Sequence, residues 1–254
     1  MIRKLLRFIL VLVILVAAAG GYLLFANGSM FLHALKDDKP TIIQDLNKSL
    51  DRYADYGNYD LVFEHNYEQG VVKTTSTGNI KIKLDGQKRY FKSNVTVGSS
   101  ETKQTFDYYC ESIDGTENAI LYTSSKDPYG QDYKIKKELT WEQALMFATG
   151  NANSVINFLT NKESCVQESA AENNLQKAKF AISFSPFYVG EKITLLSEKA
   201  SATFHVGTGG KFRKIIYSNE SDTEKFSGEI QTNKPGKAVE IYILSEEEKS
   251  SYLG

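Results

Sequence analysis

The chain has 254 residues, of which 41% are hydrophobic and 24% carry a charge, and its formal net charge is −1. That length suits one sizeable domain or two small ones. Once residues 1–7 are set aside, 27 basic side chains stand against 31 acidic ones, a balance of about −4. Such a surface presents no basic field, and we expect no nucleic-acid partner.

The N-terminus has the pattern of a membrane anchor. Arg3, Lys4 and Arg7 precede residues 8–26, a run of 19 residues without a charge, which is close to the ~20 that span a bilayer. Basic residues in front of an apolar run keep that end in the cytoplasm. The pattern predicts a cytoplasmic stub at residues 1–7, a single-pass transmembrane anchor at residues 8–26 embedded in the lipid bilayer of the cell membrane, and an extracytoplasmic main domain.

A cleaved secretory signal peptide is the alternative. Ala17-Ala18-Ala19 offers small residues of the kind found at cleavage sites. The apolar run resumes beyond these alanines at Tyr22-Leu23-Leu24-Phe25, which favours a retained signal-anchor. No cysteine lies near this point, so a lipoprotein-type attachment there is excluded.

A polar linker at residues 27–40 separates the predicted anchor from a β-rich extracytoplasmic domain at residues 41–254. Thr41 and Gln44 form a capping-box pattern at the start of this domain. Ile42, Leu46 and Tyr53 then fall on one helical face. The pattern predicts an amphipathic first helix whose apolar side packs against the rest of the domain.

From residue 58 the hydrophobic period falls to two, as in half-buried antiparallel strands. Asp85-Gly86 and Asp114-Gly115 are hairpin signals between successive strands. The predicted strands before residue 140 are 59–67, 72–84, 88–97, 105–113, 119–124 and 133–137. Those after residue 162 are 177–184, 200–206, 212–217, 224–232 and 238–244, and a last helical turn is predicted within residues 245–253.

A helical segment interrupts the strands. Thr140 and Gln143 form another capping box, and apolar residues from Trp141 to Leu159 recur at helical spacing, with a break expected at Gly150. The wide apolar stripe suits a helix laid across the concave face of a curved sheet. We therefore predict a mainly β (α+β) fold: a curved antiparallel sheet, or half-barrel, with inserted helices on its concave face, preceded by one transmembrane helix.

The sequence contains no catalytic signature. Gly207-Thr208-Gly209-Gly210-Lys211 has glycines like those of a phosphate loop, but a strand pattern follows it where a phosphate loop needs a helix, so a hairpin turn is favoured. His65 and His205 fall on strand patterns and form no recognisable pair with a nucleophile. The histidines and cysteines also lack the close spacing of a zinc site. We expect no enzyme activity, no cofactor and no metal.

Cys110 and Cys165 are the two cysteines of the chain. In an oxidising compartment two exported cysteines most simply form a disulfide. Such a bond would close a loop of about 56 residues and contribute roughly 4 kcal/mol of stability on the chain-entropy estimate. The alternative is a pair of buried free thiols.

The order of elements resembles that of bacterial lipoprotein-localisation proteins, the LolA/LppX-type half-barrel family. A helix opening at Thr41 precedes strands joined at Asp85-Gly86 and Asp114-Gly115. The helical segment opening at Thr140-Trp141 follows, and a second set of strands begins at Lys177. The resemblance is architectural and covers about residues 41–244. It implies a cavity between sheet and helices that holds a lipid or an acyl chain, although a tethered domain cannot ferry cargo between membranes.

Two functional hypotheses follow. In the first, the domain is a membrane-anchored binding protein that holds a lipid or other apolar ligand between the sheet and the helices. In the second, it is a structural or interaction subunit of a cell-envelope complex, with a solid core, no ligand and an envelope protein as partner. The aromatic residues that suggest a cavity are equally explained by sheet propensity and core filling. The predicted cavity wall consists of Phe63, Phe91, Phe106, Trp141, Leu145 and Phe147.

Overall fold

A computed structural model of the chain describes residues 39–99, 102–126, 130–160, 175–184, 187–196, 199–207, 210–233 and 239–254. The strands are β1 (Asn58–Gln69), β2 (Val72–Asp85), β3 (Lys88–Gly98), β4 (Lys103–Ser112), β5 (Asn118–Lys126), β6 (Asp132–Thr140), β7 (Leu175–Phe184), β8 (Phe187–Leu196), β9 (Ala200–Gly207), β10 (Lys211–Glu220) and β11 (Glu224–Thr232). The helices are α1 (Lys39–Ala54), α2 (Trp141–Thr149), α3 (Asn153–Thr160) and α4 (Glu246–Ser250).

These strands form one antiparallel sheet in the order β6-β5-β4-β3-β2-β1-β11-β10-β9-β8-β7. Each half of the sheet is a meander of sequential hairpins, and the pairing of β1 with β11 joins the two halves. β6 and β7 lie at opposite ends of the sheet and do not pair with each other, so the sheet is open. The predicted mainly β fold, with an unclosed antiparallel sheet and a few helices, is confirmed.

The predicted hairpin turns are also confirmed. Asp85 pairs with Lys88 across the turn between β2 and β3, and Gly86 has φ = +64°, a value that glycine adopts without steric cost. β4 and β5 pair on either side of Asp114-Gly115. Gly207 pairs with Lys211 between β9 and β10, so the glycine-rich segment connects a hairpin and is not a phosphate loop.

Three predicted elements differ from the structure. α1 begins at Lys39, so Thr41 lies inside the helix and Pro40 occupies the first turn, where no N–H is needed. β8 is absent from the prediction because its first residues, Phe187 to Val189, are all apolar and do not alternate. Residues 239–244 form no strand, although they alternate. β11 before them is already paired by β1 and β10, which leaves no adjacent free edge.

The described residues include no helix with the length and hydrophobicity that crossing a membrane requires. The predicted stub at residues 1–7, the anchor at 8–26 and nearly all of the linker at 27–40 lie outside the described residues. The membrane anchor therefore stays a prediction.

α1, α2 and α3 pack on one face of the sheet, which we call the inner face. α2 crosses β2 to β6, whereas α1 packs on β10 and α3. Because side chains alternate along a strand, β1 to β5 and β9 to β11 direct alternate residues into one core beneath these helices. Buried members of this core include Leu46, Tyr59, Leu61, Phe63, Ile80, Phe91, Leu145, Ile156, Phe204, Phe212 and Ile230.

The ends of α2 are defined as the sequence predicts. The Thr140 hydroxyl accepts a hydrogen bond from the Gln143 N–H, and the Gln143 side chain accepts one from the Thr140 N–H, which completes the capping box. Gly150 then adopts a left-handed conformation at φ = +55° and stops the helix. The chain turns there and continues as α3, so the predicted break into two short helices is confirmed.

The end of α2 lies directly on the sheet. The buried Ser93 hydroxyl on β3 donates a hydrogen bond of 2.6 Å to the Ala148 carbonyl oxygen. A Cβ atom added at Gly150 would collide with the Oγ and Cβ atoms of Ser76 on β2. The helix backbone and the sheet are therefore in van der Waals contact at this point, and glycine is needed there for space as well as for its φ angle.

We expect Gly150→Ala to lower the free energy of unfolding by about 1–3 kcal/mol more than Gly86→Ala does, because of overpacking against Ser76. Both glycines have a positive φ, so each alanine brings a left-handed strain of about 1–2 kcal/mol. Nothing lies within 4 Å of a Cβ atom at Gly86. Urea denaturation, followed by the fluorescence of the single tryptophan, measures the difference.

The double variant Gly150→Ala/Ser76→Gly is the matching control. It removes both Ser76 atoms that the new methyl group would meet, so it should restore the stability that overpacking removes. A cost of about 0.5–1 kcal/mol remains for a glycine within a strand. Equal destabilisation by Gly150→Ala and Gly86→Ala would mean that helix and sheet do not touch here.

Candidate functional site

The six residues of the predicted cavity wall lie on β1, β3, β4 and α2. Phe63, Phe91 and Leu145 are buried members of the core. Trp141 is half-buried and contacts Phe91 edge-on, with ring centroids 5.2 Å apart. The guanidinium carbon of Arg89 lies 4.7 Å from the centroid of the Trp141 ring, a cation–π distance. These residues are thus brought together as packing partners beneath and beside α2.

The other two predicted residues are placed differently. Phe106 on β4 is half-buried and stacks on Tyr108 at 5.9 Å. Phe147 is 47% exposed, while the buried residues of α2 are Ala144, Leu145, Ala148 and Thr149. The side of the helix that carries Phe147 therefore faces solvent. Whether this group of residues encloses a ligand cavity stays a prediction.

Part of the inner face is apolar but incompletely covered by the described helices. Val97, Phe106 and Phe226 pack against the core and remain partly exposed. Val97 pairs with Gln104, and Phe106 pairs with Val95. Val97 and Phe106 therefore lie close to the connection between β3 and β4. We call these three residues the inner apolar patch. It is the part of the inner face where a small apolar group would find accessible surface.

A buried polar pair lies on the same face. His65 on β1 is 3% exposed, and its Nδ1 atom lies 2.9 Å from the Tyr217 hydroxyl on β10. The imidazole also packs against Phe226 at 6.0 Å between ring centroids. Gly228 lies between the two side chains in the sheet, and a Cβ atom there would crowd the Tyr217 hydroxyl. A glycine is therefore required for the hydrogen bond to form.

Burial determines the protonation of this pair. It lowers the pKa of the His65 imidazole and raises the pKa of the Tyr217 hydroxyl, because the charged form of each group loses hydration. Both groups are neutral at physiological pH and act as a satisfied buried hydrogen bond. Within the described part of the chain, no group of three or more His, Cys, Asp or Glu side chains is arranged to hold a metal ion.

Cys110 lies on the inner face of β4 as a fully buried free thiol. Burial raises its pKa, since the thiolate would lose its hydration. Its predicted disulfide partner, Cys165, lies outside the described residues. No disulfide is shown, and the pairing stays a prediction.

The opposite face of the sheet, which we call the outer face, is largely polar. Hydroxyl and amide groups pair across neighbouring strands: Thr75 donates to Asn66, and the Thr96 and Thr105 hydroxyls contact each other, both at 2.8 Å. Cross-strand pairs of this kind stabilise the sheet while leaving the face hydrated. The pattern is visible in the sequence as the polar half of each two-residue alternation.

Open concavities lie along this outer face. One of about 430 Å³ crosses the centre of the sheet and is lined by Asn79, Asn94 and Gln231, among others. Another, of about 580 Å³, lies towards the β1–β2 turn and is lined by charged groups that include Lys73 and Lys225. No sequence pattern assigns a function to these polar residues, since polar side chains are expected on any strand face that is exposed to solvent.

Known proteins show only distant similarity to this chain. No family model matches the chain, and no curated protein matches it. A solved structure of MucB in complex with MucA(peri) is similar over 75% of this chain and 94% of that chain, with 9% identity and a TM-score of 0.15. The structure of the MucA/MucB complex from Pseudomonas aeruginosa is similar over 74% of this chain and 94% of that chain, with 8% identity and a TM-score of 0.14. This is a weak architectural resemblance.

The buried imidazole predicts a stability that falls with acidity. The pKa of His65 is lower in the folded state than its unfolded value of about 6.5, so its stabilising effect is complete above about pH 6.5 and is lost as the pH falls further. A single such group gives a slope of up to about 1.4 kcal/mol per pH unit. The free energy of unfolding, measured from pH 7.5 to 5, should show this loss.

His65→Gln should flatten that dependence because it removes the titrating group. The pKa of His205 is also lowered, by burial and by Lys192 and Lys214, so His205→Gln should remove a separate part of the slope and the double variant should show the sum of both effects. A His65→Gln profile as steep as that of the unaltered protein would contradict the assignment.

Proposed function

We propose that this chain is a single-pass, extracytoplasmic interaction protein of the cell envelope, whose outer sheet face contacts another envelope protein. The apolar run at residues 8–26 behind three basic residues supports the anchor and its orientation. The mildly acidic net charge of the remainder, about −4, argues against a nucleic-acid partner. The proposal assigns no catalytic reaction to the domain.

The topology is tested with intact cells or protoplasts. The full chain should fractionate with membranes, and an added protease should degrade the domain at residues 41–254, because it lies outside. Recovery in the cytosol, or complete protection until the membrane is dissolved, would overturn the proposed location.

The contact between α2 and the sheet is the observation that carries the choice of an interaction protein. The Ser93 hydroxyl reaches the Ala148 carbonyl at 2.6 Å, and Gly150 touches Ser76. An acyl chain is about 4–5 Å thick, so it does not fit between groups in direct hydrogen-bonded or van der Waals contact. Phe91 and Leu145, on either side of this contact, are buried. This close contact at the end of α2 supports a closely packed helix–sheet interface, with the outer surface as the region open to a partner.

Binding of a lipid or other apolar ligand is the second candidate. The observation that favours it is the inner apolar patch of Val97, Phe106 and Phe226, which remains partly exposed on the helix side of the sheet. Such a ligand would lie beside α2, at the accessible end of the inner face.

Site-specific photocrosslinking in cells separates these candidates. A photoreactive phenylalanine analogue replaces Asn79 on the exposed outer face, Phe106 in the inner apolar patch, or Phe147 on the solvent side of α2. We expect one dominant protein adduct from position 79 and much weaker protein adducts from position 147, which serves as the exposed control. Mass spectrometry of each adduct identifies protein or lipid.

A dominant lipid adduct from position 106, with no protein adduct from position 79, would replace the interaction proposal with the ligand-binding one. Equal, low labelling at positions 79 and 147 would also contradict the proposal, since an outer-face partner should favour one side of the sheet.

A further inference from the structure

Residues 239–254 form a strap across the outer face, from the centre of the sheet towards its β6 edge. Tyr242 lies over Lys92 of β3, with 6.0 Å between the Nζ atom and the ring centroid. Tyr252 contacts Tyr122 of β5 edge-on at 5.2 Å. Leu253 then forms a parallel bridge with Ile135 on β6. The strap therefore reaches from the middle of the first meander to its outermost strand.

The strap covers two tyrosines that would otherwise face solvent. Tyr109 and Tyr122 alternate with core residues on β4 and β5, yet each is 4% exposed. Both hydroxyls donate to the Glu111 carboxylate, at 3.2 and 3.3 Å. Lys249 of α4 completes this arrangement with an ion pair of 3.0 Å to Glu111. We call Tyr109, Glu111 and Tyr122 the tyrosine platform.

The edge of the sheet is occupied in the same way. The Lys136 N–H donates to the Leu253 carbonyl oxygen at 2.8 Å, and the Leu253 N–H donates to the Lys134 carbonyl oxygen at 3.2 Å. An edge strand offers unpaired backbone groups of this kind to any extended segment. The strap thus uses β-strand addition, a common mode of peptide recognition.

The attachment of the strap has the character of a ligand and not of a core element. Of the described strap residues, none belongs to the hydrophobic core cluster. Tyr242 is 61% and Leu253 is 76% exposed, whereas Val239 at the start of the strap is 8% exposed. The contacts that hold it are one ion pair, tyrosine contacts and the two edge hydrogen bonds, each worth about 1 kcal/mol or less. Such a segment can leave the sheet without unfolding it.

The charges of the strap and of the sheet beneath it indicate which other segments could bind this surface. The strap carries four glutamates and one lysine, and the sheet below it presents Lys92 to Tyr242 and Lys134 to Tyr252. The Glu248 carboxylate, whose pKa is lowered mainly by hydrogen bonds from Ser245, also feels Lys134. The surface is therefore complementary to a mainly acidic segment that places one lysine opposite Glu111 and an aromatic residue against Tyr122.

We propose that the strap is an intramolecular competitor for a partner peptide. A mainly acidic polypeptide segment that carries one lysine and an aromatic residue displaces residues 239–254, packs on the tyrosine platform and pairs with β6 through its backbone. This inference deepens the proposed function by naming the docking surface and the chemistry of the partner. The strap reduces the apparent affinity by the fraction of molecules in which it is closed.

The test uses the full chain and a fluorescein-labelled synthetic peptide with the sequence of residues 239–254, followed by fluorescence anisotropy. Lys249→Glu in the protein replaces the ion pair with repulsion against Glu111 and loosens the strap, whereas the peptide keeps its lysine. We expect the peptide to bind at least about 10-fold more tightly to this variant, because the competitor is weakened. Lys199→Glu is the matched control, since it breaks a distant, exposed ion pair with Asp222.

Leu253→Pro loosens the strap independently, since proline cannot donate to the Lys134 carbonyl, and it should raise peptide affinity in the same direction. Adding Tyr122→Ser to Lys249→Glu should abolish the gain, with circular dichroism showing that the fold is kept. Unchanged affinity in both loosened variants would overturn the inference, as would equal binding of a scrambled peptide. Persistence of the crosslink from position 79 would then show that the partner binds elsewhere on the outer face.

Discussion

Direct contact between α2 and the sheet is the constraint on which the rest of the structure depends. A helix can approach a sheet this closely only where small side chains line both surfaces. Ser76 and Ser93 supply them on the sheet, and Ala148 and Gly150 supply them on the helix. The close approach places Leu145 in the core. It also brings the Ser93 hydroxyl to the Ala148 carbonyl oxygen as a donor, which avoids the cost of an unsatisfied buried acceptor.

This contact gives the two faces of the sheet different roles. Successive side chains of a strand point to opposite faces, so on the strands whose burial is described the residues directed towards the helices form one apolar core and their neighbours form a polar outer face. The concavities of the outer face are lined by amides, hydroxyls and charged groups together with apolar side-chain surface.

The strap modifies the outer face without altering the fold beneath it. Glu111 receives hydrogen bonds from Tyr109 and Tyr122 and an ion pair from Lys249, so a single carboxylate organises the contact between sheet and strap. Because the interactions are polar and lie near the surface, their strength depends on salt and competes with water. The same chemistry that covers the β6 edge therefore also makes the cover exchangeable.

Local patterns in the sequence determined most of the strands, the Asp-Gly turns and the capping box at Thr140, because alternation, turn chemistry and caps involve neighbours along the chain. They also placed Phe63, Phe91 and Leu145 among the apolar residues of one face.

Only the tertiary structure decided what those patterns meant in space. Residues 239–244 alternate like a strand but form none, since β11 has neighbours on both sides. Phe147 is predicted to line the cavity and yet is 47% exposed. The gap between helix and sheet depends on the volume of Ser76, Ser93 and Gly150, which come from three separate elements. Periodicity specifies which side of an element is apolar, whereas packing distance is a property of the assembled layers.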